Sequence, residues 1–176
     1  LWAVCSLGCS LISDNNKQWR SEFSDCAYKA VNDCANSVFT YSENGDSLSE
    51  LHFLEYDDQG YPYRDEHVNA VIEKIRQSAK GERDIIMLTF VHGWHHNARG
   101  SPEDSDITKF RGLLSDAARE YSDKKVIGLY VGWSGRQYKA IPWPNFLEEA
   151  LDLFSFWDRK RTAHKVGANG MTTALL

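Results

Sequence analysis

The chain has 176 residues, of which 42% are hydrophobic and 26% are charged, and its formal net charge is -5. This composition is close to the globular average, so it predicts one folded domain and argues against disorder of the whole chain. The acidic balance argues against a surface that binds nucleic acid. No stretch approaches the roughly 18 consecutive apolar residues of a membrane-spanning helix, so a soluble mature domain is expected.

Residues 1–12 resemble the remnant of an export signal. Their apolar run ends in Leu7-Gly8-Cys9, similar to the end of a bacterial lipoprotein signal, in which Cys9 would be cleaved and lipidated. The positively charged start of such a signal is missing, so an ordinary secretory remnant or a plain apolar segment is the alternative. The expectation is an exported or cell-envelope protein, periplasmic or attached to a membrane through Cys9, with a cytoplasmic location as the alternative.

Two further cysteines, Cys26 and Cys34, lie close together in the sequence. In an exported protein they can form a local disulfide, whereas in the cytosol they are expected to be free thiols. The four cysteines contain no C-x-x-C pair, which argues against a zinc ribbon.

Residues 13–49 are polar and rich in turn residues, including Asn44-Gly45-Asp46. Only a weak helical rhythm is visible, around Tyr28, Val31 and Val38. This stretch is interpreted as an appendage packed on the domain that begins at residue 50.

From residue 50 onward, predicted strands and helices alternate. Strands are predicted at 51–56, 84–91 and 125–131, and helices at 68–79, from 105 or 106 to 121, at 144–154 and at 162–175. This order predicts an α/β fold with right-handed crossovers, a largely parallel sheet and flanking helices. Ligands of such sheets bind at the carboxyl ends of the strands.

The run at 84–91 is almost continuously apolar. Such a run predicts an inner parallel strand that helices cover on both faces. The turn after the first strand contains Asp57 and Asp58, which are interpreted as side chains that cap their own backbone rather than as a catalytic pair.

The predicted strand at 84–91 runs directly into His92-Gly93-Trp94-His95-His96. A strand that ends in His-Gly resembles the oxyanion loop of α/β-hydrolases. The segments 53–60, 90–98, 128–133 and 156–160 together resemble a poorly characterised group of bacterial esterase/lipase-like α/β-hydrolases. The resemblance covers residue 50 to the end and implies a partial α/β-hydrolase fold.

This resemblance implies that the backbone amide of Trp94 stabilises the negative oxygen that develops when an acyl group is attacked. Gly93 allows close approach of the backbone, and His92 locks the loop by hydrogen bonding. The pocket candidates are His95, His96 and Trp133. The expected partner is a small-molecule ester or acyl substrate, and no cofactor or metal is expected, although three nearby histidines leave a metal site as the alternative.

In this superfamily a later G-x-S-x-G motif carries the nucleophile, and the 176 residues contain none. The nearest imitation, Gly132-Trp133-Ser134-Gly135, has its second glycine one position early, so a strand-end turn is favoured over Ser134 as nucleophile. The expectation is a serine hydrolase as the full-length parent, of which this fragment is inactive. The alternative is a noncatalytic binding or interaction protein. A partial sheet would leave an exposed edge strand and an uncovered apolar face.

Overall fold

The computed structural model describes residues 18–27, 36–43, 46–57, 59–81, 83–93, 98, 105–133 and 160–171. Its strands are β1 (Glu22–Ala27), β2 (Asn36–Glu43), β3 (Asp46–Tyr56), β4 (Ile85–Val91) and β5 (Lys125–Trp133). Its helices are α1 (Asp65–Ala79) and α2 (Ser105–Glu120). A helical segment at 160–165 continues into a π-helix, π1 (Val166–Met171).

The strands form one sheet in the order β1-β2-β3-β5-β4. Strands β3, β5 and β4 run parallel to one another, β2 is antiparallel to β3, and β1 is parallel to β2. The chain therefore has an α/β fold in which three parallel strands are flanked by helices. Strand β5, the last in the sequence, lies between the two earlier parallel strands and forms the centre of this part of the sheet.

The two faces of the sheet bury separate apolar clusters, because successive side chains of a strand point to opposite faces. On the α2 face the buried residues are Leu51, Phe53, Ala98, Ile107, Phe110, Leu114, Ala118, Val126 and Tyr130. On the α1 face they are Leu54, Tyr56, Val71, Leu129, Val131, Trp133 and Val166. Strand β5 contributes to both clusters, which explains its uninterrupted apolar sequence.

Helix α1 forms where the sequence predicts a helix, with its start three residues earlier. Val68, Val71 and Ile75 recur at helical spacing and pack on the sheet. The acidic residues Asp65 and Glu66 lie in the first turn, where the helix dipole favours negative charge. The helix ends at Ala79, before the predicted stop at Lys80 and Gly81.

Strand β4 corrects the interpretation of 84–91 as an inner strand covered on both faces. Among the described residues it pairs with β5 alone, so it is an edge strand. Leu88 and Phe90 pack towards α2, whereas Met87 and Val91 are 46% and 44% exposed. A continuous apolar run occurs both in inner strands and in edge strands that are covered on one face. Hydropathy alone therefore does not predict the position of a strand in its sheet. The apolar side chains of Met87 and Val91 are thus exposed on the face of β4 opposite α2.

Part of the 13–49 stretch belongs to the sheet. Val38, the last residue of the weak helical rhythm, lies in β2 opposite His52 of β3, so this rhythm does not correspond to a helix at Val38. Strand β3 begins at Asp46 rather than at residue 51, because its first half pairs with β2. Only residues 44 and 45 separate the two strands, and Asn-Gly is a favoured two-residue hairpin connection.

Several predicted features lie outside the described residues: the signal-like residues 1–12 with Cys9, the cysteine at position 34, and the helix at 144–154. Cys26 lies in β1. Within the part of the chain that the structure describes, no helix combines the length and apolarity needed to cross a membrane.

Candidate functional site

The carboxyl ends of β3, β5 and β4 meet at one edge of the sheet, because the three strands are parallel. Of the site residues predicted from the sequence, His92, Gly93 and Trp133 are described there. Trp94, His95, His96 and Ser134 lie outside the described residues.

His92 is a buried residue that connects the end of β4 to the end of β5. Its Nε2 accepts a hydrogen bond from the backbone N–H of Trp133 at 2.7 Å, and its Nδ1–H donates to the carbonyl oxygen of Gly93 at 2.8 Å. The paired register of the two strands ends at Val91 and Val131, so the imidazole replaces the next backbone partner of β5. His92 thereby fixes the start of the loop that follows β4.

These two hydrogen bonds also define which nitrogen of the His92 ring carries the hydrogen. An Nε2 that accepts and an Nδ1–H that donates belong to the neutral imidazole, and both nitrogens are engaged with the backbone. His92 therefore has no free nitrogen for a metal or for proton transfer in this arrangement. Across the described residues, no group of three His, Cys, Asp or Glu side chains is arranged to hold a metal ion.

Trp133 is part of the packed core beneath this loop. Its ring stacks on His92 with a centroid separation of 5.5 Å and an interplanar angle of 6°. Its indole N–H donates to the carbonyl oxygen of His92 at 3.1 Å. Only 5% of Trp133 is exposed, so it offers little surface to a ligand and serves as a rigid support for His92.

The chain after β4 returns to the sheet at Ala98, which is 1% exposed. It lies so close to β5 that a Cβ on Gly132 would be 2.7 Å from the Cβ of Ala98 and 3.3 Å from the Cγ of Glu55. Glycine at position 132 is therefore required for the close approach of these three segments. The ends of β3 and β5 and the residue Ala98 form one packed unit.

Two buried residues of opposite charge that the sequence analysis missed, Arg20 and Glu55, lie in this unit. The carboxylate of Glu55 accepts hydrogen bonds from the backbone N–H groups of Trp19 (3.0 Å to each oxygen) and Arg20 (2.7 Å). The Nε–H of Arg20 donates to the carbonyl oxygen of Ala98 at 2.9 Å, and its guanidinium lies 4.7 Å from the centroid of the Phe53 ring. Arg20 and Glu55 are 1% and 5% exposed.

Burial shifts the titration of both members of this pair. It raises the pKa of Glu55 to about 7, and the hydrogen bonds from the two backbone amides and the charge of Arg20 only partly oppose it. Burial also lowers the pKa of Arg20 to about 10, although the negative charge of Glu55 opposes this. A carboxyl group that titrates near neutrality at the carboxyl end of a central strand is a functional-site candidate on physical grounds.

The segment that carries Arg20 is held at further points. The side-chain amide of Gln18 donates to Nδ1 of His67 at 2.7 Å, and Nε2–H of His67 donates to the carbonyl oxygen of Phe53 at 3.1 Å. Arg64 donates to the backbone oxygen of Ser21. Burial lowers the pKa of His67, which favours the neutral ring that this bonding requires. The segment is therefore anchored to both β3 and α1.

The turn after β3 contains Asp57, interpreted from the sequence as a capping side chain. Its Oδ1 accepts hydrogen bonds from the backbone N–H groups of Gln59 and Tyr61 at 2.8 and 2.9 Å, as a capping role requires. Gly60 adopts a φ of 82°, and a Cβ there would lie 2.5 Å from the backbone of Lys165. This turn packs against the carboxyl-terminal helical segment.

No family model matches the chain, and no match was found among curated proteins or among solved structures. The resemblance to α/β-hydrolases therefore rests on the sequence motifs alone. The α/β fold rests on the described strands and helices.

A sequence signal for Glu55 exists in the alternation of β3. Leu51, Phe53 and Glu55 are spaced by two, so a strand places the glutamate on the same face as two large apolar residues. A charged side chain on a buried face requires a partner. The partner, Arg20, lies in a polar stretch without periodicity, so the sequence offers no comparable signal for it.

Proposed function

We propose that this chain contributes the oxyanion-stabilising part of a serine hydrolase that acts on ester or related acyl bonds. The proposed donor is the backbone amide of Trp94, which follows the described residues His92 and Gly93. In this proposal the parent protein supplies the serine, the histidine and the acid.

The observation that carries the proposal is the hydrogen bond from His92 to the carbonyl oxygen of Gly93. This carbonyl shares a planar peptide unit with the amide of residue 94, and in a trans peptide the two groups point in opposite directions. A ring that fixes the carbonyl therefore orients the next N–H away from itself. Oxyanion stabilisation needs such a preorganised donor, because a donor that is already oriented costs no reorganisation during the reaction.

The location of this peptide unit supports the same proposal. It follows β4 at the carboxyl edge of the parallel strands, where ligands of α/β sheets bind. The full engagement of both nitrogens of His92 argues for a positioning role and against a role as general base. The base of the proposed reaction is therefore a different histidine of the parent protein.

The test removes the proposed N–H without deleting the loop. In the parent protein, Trp94→Pro eliminates the backbone donor, and Trp94→Ala keeps it while removing the indole. Gly93 tolerates a following proline, because it carries no Cβ. We expect Trp94→Pro to lower kcat for short-chain p-nitrophenyl esters by about 10²- to 10³-fold, and Trp94→Ala to have a much smaller effect.

Circular dichroism and thermal unfolding of both variants check that each is folded. Equal losses of kcat in the two variants would show that the indole, not the amide, matters. A parent protein that contains G-x-S-x-G and hydrolyses no acyl ester would overturn the whole proposal.

A noncatalytic interaction protein is the second candidate, and one observation favours it. Met87 and Val91 leave an apolar face of the edge strand β4 exposed, and exposed apolar patches are common at binding surfaces. The two candidates make opposite predictions for the sequence that continues the reading frame. A G-x-S-x-G motif there supports the hydrolase, and its absence supports the interaction protein.

A further inference from the structure

A buried arginine links the segment at residues 18–21 to the chain that follows β4. The Nε–H of Arg20 donates to the carbonyl oxygen of Ala98 across 78 sequence positions. We propose that Arg20 is a positioning residue that fixes Ala98, within the connection between β4 and α2, and that Glu55 and Phe53 hold Arg20 in place. This tether, the hydrogen bond from Arg20 to Ala98, is independent of any reaction, whereas its effect on acyl hydrolysis rests on the proposed function.

Arg20 is suited to this role because strand β3 holds it from two sides. Its backbone N–H is bound by the carboxylate of Glu55, and its guanidinium lies over the ring of Phe53. Both partners belong to the part of β3 that pairs with β5, opposite Gly132 and Tyr130. The position of the guanidinium is therefore set by the centre of the sheet rather than by a flexible surface.

Two points of this connection are held by different means. His92 binds the backbone of Trp133 directly after β4, and Arg20 binds Ala98 further along the chain. Ala98 packs against Gly132, where an added Cβ would lie only 2.7 Å from the Cβ of Ala98. Backbone groups next to a fixed point lose conformational freedom, and a donor that is already oriented costs no reorganisation during a reaction.

A simpler role for Arg20 would be charge compensation for Glu55. Substitution of Arg20 by lysine distinguishes the two roles. Arg20→Lys keeps a positive charge near the carboxylate, but it places a methylene where the Nε–H of arginine donates to Ala98. Lysine is therefore expected to preserve the charge compensation and to lose the hydrogen bond to Ala98.

The experiment is hydrogen–deuterium exchange of the 176-residue chain, read by mass spectrometry. In Arg20→Met we expect the amides of residues 92–98 to exchange about tenfold faster than in the unsubstituted chain, the effect expected when one buried hydrogen bond is lost. The amides of α1 should exchange at unchanged rates. Arg119→Met is the matched control, because Arg119 is an exposed arginine that pairs with the exposed Asp116 of the same helix, and it should change neither region.

Arg20→Lys should accelerate exchange at 92–98 by a similar factor. Protection of the loop by lysine would overturn the proposal, because charge alone would then suffice. Faster exchange in the loop and in α1 to the same extent would also overturn it, since Arg20 would then act on global stability. If Arg20→Met does not fold, the double variant Arg20→Met/Glu55→Gln, which leaves no unpaired charge, is measured against Glu55→Gln with the same expected difference.

The exchange experiment tests the tether independently of the proposed hydrolase function. Exchange does not depend on catalysis, so failure of the Trp94→Pro test leaves the tether intact. In a parent protein that hydrolyses esters, Arg20→Met should lower kcat more than it changes KM, because the loop would orient a group that acts mainly in the transition state. A change confined to KM would contradict that consequence.

Discussion

Two buried glutamates of β3 have pKa values that are shifted in opposite directions. Glu50 and Glu55 lie on opposite faces of the strand, because their positions differ by an odd number. Burial raises the pKa of Glu50 too, but hydrogen bonds from His52, Lys125 and Ser78 outweigh it and lower the pKa to about 2. Glu55 has backbone amides and a partly compensating arginine instead, so burial dominates.

The raised pKa of Glu55 predicts a stability that falls with rising pH. Between its ordinary value of 4.5 and about 7 the folded state binds more protons at this site than the unfolded chain. The stabilisation is therefore present below pH 4.5 and is lost as the pH rises through 7. Relative to Glu55→Gln, we expect the unfolding free energy of the unsubstituted chain to fall by on the order of 3 kcal/mol from pH 4.5 to 8, measured by urea denaturation.

Glu50→Gln provides the matched control on the same strand. Because the pKa of Glu50 is lowered to about 2, its contribution is constant above about pH 5 and is lost only as the pH falls through 2. The difference between the unsubstituted chain and this variant should therefore stay flat from pH 5 to 8. Parallel curves for both substitutions over that range would contradict the role assigned to Glu55.

At the scale of single residues, a motif within one segment can be predicted from the sequence, whereas a contact between residues far apart in the chain cannot. His92 and Gly93 stand out because they directly follow a strand. Arg20 and Ala98 are separated by 78 positions, and neither lies in a periodic pattern. Their contact depends on how three strands are arranged, which local sequence does not contain.

At the scale of elements, α2 packs closely on β5 at a glycine. A Cβ on Gly128 would lie 2.4 Å from Cδ1 and 2.9 Å from Cδ2 of Leu114, which is itself 1% exposed. Any larger residue at position 128 must displace that leucine or the helix. The absence of a side chain at position 128 therefore sets how closely α2 approaches the sheet.

We expect Gly128→Ala to lower the unfolding free energy by about 1–3 kcal/mol in urea denaturation, because it overpacks the core. Leu114→Ala alone should cost about 2–5 kcal/mol, because it leaves a cavity. The double variant should lose at least about 1 kcal/mol less than the sum, since the new methyl group occupies part of that cavity. Gly112→Ala is the control: its Cβ meets nothing within 4 Å, and alanine in a helix should be stabilising. Strict additivity of the two core substitutions would contradict this packing.

The elements after residue 50 were the easiest to predict, since hydrophobic periodicity reports which face of a helix or strand is buried. The helical spacing of Phe110, Leu114 and Ala118 predicts α2, and all three residues are buried against the sheet. Strand β2 was missed because its residues are mostly polar, with Val38 and Phe39 as exceptions. Its strand conformation depends on pairing with β3, which is a tertiary effect.

At the scale of the molecule, the order of strands is the property that the sequence does not determine by itself. Strands β3, β4 and β5 follow one another in the chain, but β5 lies between the other two. The apolar run of β4 is compatible with an inner position as well as with an edge. Which position it takes depends on the crossover connections, so the prediction of an inner strand was wrong for the described sheet.

The one-sided burial of β4 leads to a prediction about two adjacent residues. Met87 is 46% exposed, whereas Leu88 packs against the cluster under α2. We expect Met87→Lys to change the unfolding free energy by less than about 1 kcal/mol, because its ammonium remains in water. Leu88→Lys should cost more than about 2 kcal/mol, because it places a charge against the apolar cluster. Urea denaturation of both variants gives the comparison, and similar losses in the two would mean that β4 is covered on both faces, as an inner strand would be.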